Sequence, residues 1–209
     1  MRRSRRHLTA GQRRLRTRAE GRRLEILRAA ARVFRQRGFA AAGMREIAGA
    51  ADLSPGNLYH YFRGKDEILF FCQNESVDRL VEALGTARRM RAPLAERLRA
   101  VALAHVSCLI DELAGASAHF EVHALPPARR SAIVAKRDRY ERGVRALVAG
   151  GMRSGDLHPS DPTIVTRAFL GALNWTAQWF RPDGPQPPQV VAELIADYAV
   201  AGLLNRGRS

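Results

Sequence analysis

The side chains with the clearest chemical potential lie between residues 57 and 61. Four of them carry hydrogen-bonding groups, and they are Asn57, Tyr59, His60 and Tyr61. An asparagine amide forms paired hydrogen bonds with an adenine edge, and polar aromatic side chains contact base methyl groups or phosphates. The apolar residues beside them, Leu58 and Phe62, are spaced i and i+4. This spacing predicts a short helix with one buried side and a polar outer face.

Two short helices and a turn, within residues 43–65, position these side chains. The first helix has an apolar face formed by Met44, Ile47, Ala48 and Ala51. Asp52 tolerates the bend that follows, Ser54 suits the N-cap of the second helix, and Pro55 suits its first turn. A helix over residues 55–62 is too short to be stable alone and must pack on its neighbour. The pattern predicts a helix-turn-helix whose second helix enters a DNA major groove.

A longer helix precedes this unit. Its inward stripe follows helical spacing and consists of Leu24, Leu27, Ala31 and Phe34. The prediction is a helix over residues 20–37 that ends at Gly38, with Phe39 packing beneath the helix-turn-helix. Residues 1–19 contain eight Arg and no acidic residue, which predicts a disordered basic arm. Such an arm is either a solvated tail or a segment that places Arg in the minor groove.

Positive charge is concentrated at one end of the chain. Residues 1–65 hold 17 Lys and Arg against 4 Asp and Glu, whereas residues 66–209 hold 18 against 16. The net charge of +15 is therefore carried almost entirely by the N-terminal part. This asymmetry suits contact with a phosphate backbone, since solubility alone does not require the charge at one end.

The remainder of the chain predicts a larger helical domain. Apolar periodicity, caps and Pro or Gly stops predict helices over residues 65–89, 93–113, 118–125, 128–153, 161–180 and 190–204. The second of these is apolar around its whole circumference and is expected to be central. The predicted fold class is all-α with about nine helices. It comprises the arm (1–19), a three-helix bundle (20–65) and the larger helical domain (66–209).

Residues 24–69 resemble the DNA-binding region of the TetR family of bacterial one-component repressors. The shared positions are Phe34, Gly38, Phe39, Arg45, Glu46, Ile47, Ala48, Leu53, Ser54, Gly56, Asn57, Leu58, Tyr59, His60, Tyr61, Phe62 and Lys65. Two features depart from the family pattern. Ala42 and Gly43 stand where a Thr or Ser hydroxyl is common, and Asp52 replaces a frequent turn glycine. The resemblance implies a homodimeric regulator that binds a palindromic operator in double-stranded DNA.

The resemblance also implies which residues contact DNA. Those expected at base edges are Pro55, Gly56, Asn57 and Tyr59. Those expected at phosphates are Arg45, Ser54, His60, Tyr61 and Lys65. In this interpretation the larger domain binds an effector and dimerises through the last two helices.

The segment from Asn174 to Gly184 resembles one in TetR-type regulators of fatty-acid and steroid breakdown, several of which respond to acyl-CoA thioesters. It implies a repressor released by a small hydrophobic effector, such as an acyl-CoA thioester, with no cofactor. The candidate effector-binding residues are His105, Phe120, Arg137, Tyr140, Asn174, Trp175 and Trp179. The alternative for the two Trp is a role in the core or the dimer interface. The helix from Lys65 is expected to link the two domains, with Leu80 and Leu84 bordering the ligand.

Three other functional classes have weaker support. His119 and His123, spaced i and i+4, can bind a metal together with His105, which is the basis for a metal-responsive repressor. No cysteine cluster accompanies them. A purely architectural DNA-binding protein leaves residues 66–209 without a role. An enzyme is not expected, because the sequence contains neither a nucleophile elbow nor a phosphate-binding loop.

The expected compartment is the cytoplasm. The apolar runs are too short to cross a membrane, and the Arg-rich N-terminus lacks the apolar stretch of a signal peptide. Cys72 and Cys108 lie within predicted helices and are expected to be reduced core residues. No membrane contact is predicted.

Overall fold

The computed structural model describes residues 10–110 and 121–205. Within these ranges the chain forms eight α-helices and no β-strand, which confirms the all-α fold class. The helices are α1 (Ala10–Ala41), α2 (Met44–Ala50), α3 (Pro55–Tyr61), α4 (Lys65–Arg89), α5 (Leu94–Ile110), α6 (Pro127–Ser154), α7 (Pro162–Trp179) and α8 (Pro188–Ala201). The predicted helix over residues 118–125 is instead a 3-10 turn at Glu121–Ala124, and residues 118–120 lie outside the described part.

The first helix begins ten residues before its predicted start. α1 extends from Ala10, so that the segment predicted as a disordered arm is helical over residues 10–19. Ala, Arg, Gln and Leu have high helix propensity, and a packed helix elongates readily into such residues. The predicted end is confirmed: Gly38 has φ 76° and ψ 157°, which breaks the helical geometry after Arg37.

The helix-turn-helix forms as the local signals predict. Asp52 adopts the left-handed region with φ 53°, which turns the chain between α2 and α3. Ser54 Oγ accepts a hydrogen bond from the backbone N–H of Asn57 at 3.2 Å and thus caps α3, and Pro55 occupies its first turn. α1, α2 and α3 pack around a core that includes the fully buried Phe34 and Leu58.

The core of the N-terminal bundle does not stop at residue 65. The first turns of α4 contribute Ile68, Leu69 and Cys72 to it. Leu125, just before α6, and Ile133, near the start of α6, also belong to it. The predicted boundary between residues 65 and 66 therefore passes through a single hydrophobic core. Two elements, α4 and the start of α6, connect this core with the larger domain.

The larger domain is built around α5, as predicted. This helix contacts α4, α6, α7 and α8, and it buries Leu98, Val101, Ala102 and Val106 completely or almost completely. α6 ends at Gly155, which is left-handed at φ 79°, and Asp161 caps α7 by accepting from the N–H groups of Thr163 and Ile164. Both ends agree with the sequence signals. Cys108 packs here and Cys72 in the first core, and both are buried free thiols.

Candidate DNA-reading surface and effector cavity

The outer face of α3 carries the predicted DNA-reading residues. Leu58 and Phe62 are buried against α1, α2 and α4, which leaves the opposite side of this short helix free. The residues exposed there are Ser54, Pro55, Gly56, Asn57, Tyr59 and His60. Tyr59 is 54% exposed, an unusual position for so large a side chain. Tyr61 is half-buried and packs against the edge of the first core.

The backbone beside these side chains is also open. A Cβ placed at Gly56 would meet no other atom within 4 Å, and the same holds at Gly43, the N-cap of α2. Packing within the chain therefore does not require glycine at either position. Arg45 is exposed in the first turn of α2, one residue before Glu46, which pairs with Arg37. The surface thus offers donors and a close backbone approach to an external partner.

Lys65 has a different environment from the one expected. Its Nζ donates to the carbonyl oxygens of Phe39, Ala40 and Ala42 at 2.9, 2.8 and 3.1 Å, and it lies 4.8 Å from the centre of the Phe39 ring. An ammonium group has three N–H donors, and all three have partners within the chain. We therefore correct the predicted phosphate role: Lys65 ties the start of α4 to the junction between α1 and α2.

A cavity of about 270 Å³, open to solvent beside the exposed Asp138 and Arg167, lies between α4, α5, α6 and α7. Its lining is Val77, Leu80, His105, Arg137, Asp138, Tyr140, Glu141, Arg167, Leu170, Gly171 and Asn174. Four of the seven predicted effector-binding residues are among them: His105, Arg137, Tyr140 and Asn174. Leu80 also borders the cavity as expected, whereas Leu84 lies in the core and is not part of the lining.

A buried hydrogen-bond network forms one wall of this cavity. His105 Nδ1 lies 3.1 Å from Tyr140 Oη, and His105 Nε2 lies 3.1 Å from Asn174 Oδ1. Burial lowers the pKa of His105 to about 4, although the hydrogen bond to Asn174 partly opposes this. Burial also raises the pKa of Tyr140. Both side chains are therefore uncharged near neutral pH.

The charged part of the lining is balanced. Arg137 and Arg167 contribute two cations, and Asp138 and Glu141 contribute two anions. Arg167 Nε lies 3.7 Å from Glu141 Oε1, and Arg137 Nη2 donates to Gln73 Oε1 at 3.4 Å. Burial lowers the pKa of Arg137 from its usual value. Sequence reasoning missed Asp138, Glu141 and Arg167, although Glu141 follows Arg137 by one helical turn.

Two of the remaining candidates, Trp175 and Trp179, do not line the cavity. Trp175 is 66% exposed and Trp179 is 47% exposed, and both point away from the core on α7. Phe120 lies outside the described residues. The two Trp therefore lie on the outer surface of this chain and not in the cavity lining.

That outer surface is a candidate for a protein contact. The large apolar side chains exposed on the last two helices are Ile164, Trp175 and Trp179 of α7 and Val190, Leu194 and Tyr198 of α8. We call these six residues the α7–α8 face. Exposed apolar groups concentrated on one pair of helices indicate an interaction surface, whereas isolated ones do not.

Two of the three histidines considered for a metal site, His105 and His123, lie in the described part of the chain. His105 is enclosed by Tyr140 and Asn174, His123 is exposed on the 3-10 turn, and His119 lies outside the described residues. In residues 10–110 and 121–205, no three His, Cys, Asp or Glu side chains come together as a metal site. Over the same ranges, no helix is long and apolar enough to cross a membrane.

The fold and the exposed face of α3 define a helix-turn-helix DNA-binding regulator with a separate helical domain. Two family models match the chain: bacterial regulatory proteins of the tetR family over residues 26–70, and the tetracyclin repressor-like C-terminal domain over residues 91–203. The chain belongs to the TetR family of transcriptional regulators. This confirms the resemblance, and the matched relatives are regulators of transcription, not enzymes.

Individual relatives cover nearly the whole chain. It is 26% identical over 189 residues to the transcriptional repressor KstR2 of Mycobacterium tuberculosis, covering 89% of this chain and 94% of that protein. The structure of PfmR from Thermus thermophilus is 33% identical, with a TM-score of 0.76 over 86% of this chain and 99% of PfmR. AibR, solved with isovaleryl coenzyme A and operator DNA, is 31% identical, with a TM-score of 0.71 over 88% and 98% of the two chains.

Proposed function

We propose that this protein is a homodimeric transcriptional repressor that binds a palindromic operator through α3 and is released from it by an acyl-CoA thioester. The observation that carries the effector part is the cavity between α4 and α7, which combines apolar walls with a buried neutral network at His105. Ligand sites are typically concave and mostly apolar, with a few placed polar groups. The ligand named for AibR, isovaleryl coenzyme A, supports the thioester class.

The DNA-binding roles follow from exposure and chemistry. Asn57 lies on the open side of α3, where its amide can form paired hydrogen bonds with an adenine, and Tyr59 can contact a thymine methyl group. Gly56 lets the backbone approach closely, because nothing in the chain fills the space beside it. Arg45, Ser54 and the aromatic pair His60 and Tyr61 are assigned to phosphates. Lys65 is left out of the phosphate set.

Single substitutions are expected to separate base reading from phosphate binding. Asn57→Ala should reduce the preference for operator over a scrambled duplex by about 1–3 kcal/mol per half-site, because a paired base contact is lost. Arg45→Ala should weaken both duplexes alike and make the salt dependence of affinity shallower by about one counterion per subunit. Fluorescence anisotropy on both duplexes over a salt series measures these effects. If Asn57→Ala weakens the affinity for operator and for scrambled DNA equally, Asn57 does not read a base.

The connection between cavity and α3 runs through two helices. α4 carries Leu80 at the cavity and Ile68 in the N-terminal core. α6 carries Tyr140 at the cavity and Ile133 in the same N-terminal core. A ligand that changes the spacing of α4 and α6 would therefore move both supports of the DNA-binding bundle.

A polar contact joins the starts of these two helices. Arg129 Nη1 pairs with Asp66 Oδ2, its Nη2 lies 3.9 Å from Glu67 Oε1, and its guanidinium lies 5.8 Å from the centre of the Phe70 ring. Arg129 is only partly exposed, so that this contact is less screened by solvent than a surface ion pair. We assign Arg129 to the transmission of the effector signal into α4.

A complete titration tests the release mechanism. Acyl-CoA should weaken operator binding by about 5- to 150-fold, and operator should weaken acyl-CoA binding by the same factor, because coupling between two sites is reciprocal. Arg129→Ala should reduce this factor while leaving acyl-CoA affinity of the DNA-free dimer unchanged. Calorimetry with and without operator measures both. The control is Arg130→Ala, since Arg130 has no ion pair among the described residues.

Three results would contradict the proposal at different points. Equal acyl-CoA affinity for free and operator-bound dimer would remove the release mechanism. Absence of binding by any CoA thioester would remove the effector class and favour an architectural or differently regulated DNA-binding protein. If the Arg129→Ala variant keeps the full coupling between acyl-CoA and operator binding, the effector class stands, but the signal does not pass through the contact between the start of α6 and α4.

A further inference from the structure

The proton positions in the cavity wall follow from the chemistry of its acceptors. With the Asn174 amide oriented so that Oδ1 faces His105, as it is here, the proton of the contact lies on Nε2, because an amide oxygen only accepts hydrogen bonds. The ring is neutral and carries one proton, because burial holds the pKa of His105 at about 4. Nδ1 is therefore bare and accepts from the hydroxyl of Tyr140. Donation runs in one direction, from Tyr140 through His105 to Asn174.

The direction of hydrogen-bond donation determines which donor groups of the network remain available to a ligand. The Tyr140 proton and both His105 nitrogens are already used within the wall. Within this network, the N–H groups that are still available belong to the side-chain amide nitrogen of Asn174, whose side chain lines the cavity. The wall therefore presents a fixed, uncharged donor, and the matching ligand group is a hydrogen-bond acceptor.

The charge balance of the lining favours one of two possible ligand acceptors, a neutral carbonyl oxygen, over the other, a carboxylate. A carboxylate removed from water needs a paired cation, since burial of an isolated charge costs far more than burial of a neutral polar group. The lining has two cations and two anions, and Arg167 already faces Glu141. Over the described residues, the lining therefore carries no net positive charge. A carbonyl oxygen can accept the hydrogen bond of the Asn174 side-chain amide without bringing a charge into the cavity.

The size of the cavity restricts which part of the ligand enters. A volume of about 270 Å³ lies at or below the range of about 300–1,000 Å³ that is typical for drug-sized ligands. Val77, Leu80 and Leu170 supply the apolar part of the lining. These dimensions suit an acyl chain and its carbonyl, with the much larger coenzyme portion outside.

We infer that the cavity accepts the acyl end of its effector as a neutral thioester and not as the free carboxylic acid, and that the side-chain amide of Asn174 donates the hydrogen bond to the thioester carbonyl oxygen. This inference rests on the proposed function and specifies the chemistry of its effector site. Asn174 is then the residue that determines thioester specificity, held in orientation by His105 and Tyr140.

The decisive comparison is between a thioester and the thioether that differs from it only in the carbonyl group, with the free acid tested beside them. The probes are saturated acyl-CoA thioesters from isovaleryl-CoA upward, each beside the S-alkyl-CoA thioether of the same skeleton, which lacks the carbonyl, and beside the free acid. For the unmodified dimer, calorimetry should find the tightest thioester bound about 3- to 10-fold more tightly than its thioether, as one net hydrogen bond predicts. The free acid should bind more weakly than the thioester.

Variants assign the effect to one side chain. Asn174→Ala should bind thioester and thioether equally. Gln178→Ala removes an exposed amide one turn further along α7, outside the cavity lining, and should keep the full preference for the thioester. The comparison of ligands on the unmodified dimer needs no substitution, and so it remains decisive if Asn174→Ala is unstable.

Failure of this inference is distinct from failure of the proposed function. A thioether that binds as tightly as its thioester, or a free acid that binds more tightly, would overturn the carbonyl-reading role while leaving an acyl-type effector in place. A preference for the thioester that persists in Asn174→Ala would assign the contact to another group. If no thioester binds the dimer at any chain length, the proposed effector class fails together with the inference.

Discussion

Replacing Leu194 with glutamate is expected to convert the dimer into monomers and to abolish specific operator binding. Leu194 is 61% exposed at the centre of α8, one helical turn before Tyr198, which is 81% exposed. Trp175 on α7 is 66% exposed. A two-fold interface presents the same patch twice, so that one substitution buries two carboxylates in it. An uncompensated buried charge costs about 3–5 kcal/mol, which weakens dimerisation by more than about 100-fold. Analytical ultracentrifugation and operator anisotropy measure the two effects.

Loss of DNA binding follows from loss of the dimer. A helix-turn-helix dimer places two recognition helices one helical turn of DNA apart, and a monomer binds only one half-site. The matched control is Val134→Glu on α6, where an apolar side chain is 41% exposed but lies away from the α7–α8 face. This variant should remain dimeric. A dimeric Leu194→Glu variant, or a monomeric Val134→Glu variant, would place the interface elsewhere.

The second large effect is a loss of stability below pH 6.5 that depends on His105. The folded pKa of this side chain is lowered by burial to about 4, while the unfolded value is near 6.5. Between these values the unfolded chain binds the extra proton, so that stability falls as the pH falls. The contribution at pH 5 is about 2 kcal/mol, and it approaches about 3 kcal/mol below pH 4.

Urea unfolding at pH 7 and pH 5 measures this contribution. His105→Gln is the control variant, because glutamine keeps a polar side chain of similar reach and does not titrate. Asp138 and Glu141 line the same cavity and are common to both proteins, so that the difference between the two pH responses isolates His105. Arg137 and Tyr140 do not change protonation state over this range. An equal loss of stability in both proteins would mean that His105 is accessible to protons in the folded state.

Local signals in the sequence determined the boundaries of most helices. Ser54 with Pro55, and Asp161 with Pro162, begin α3 and α7 because a side-chain oxygen caps the first turn and proline fits its geometry. Gly38 and Gly155 end helices because both adopt positive φ. Such signals act over a few residues, and they are therefore legible without knowledge of the fold.

Contacts between distant residues were decided only by the tertiary structure. Lys65 looks like a phosphate-binding cation in sequence, but its three partners are carbonyl oxygens 23 to 26 residues earlier. The start of α6 belongs to the N-terminal core, which no local pattern indicates. A basic or apolar residue is compatible with several environments, and packing selects one of them.

The contacts of the candidate effector-binding residues were likewise decided by the tertiary structure. The sequence singled out His105, Tyr140 and Asn174 as polar or aromatic groups on apolar helices, but Tyr140 and Asn174 lie 35 and 69 positions from His105 along the chain. Their hydrogen bonds, and hence the direction of the donors, exist only where α5, α6 and α7 meet. α7 is apolar on more than one side, so that its periodicity did not decide which face meets the core. Packing turned Asn174 inward and left Trp175, the next residue, on the outer surface, because successive residues on a helix point about 100° apart.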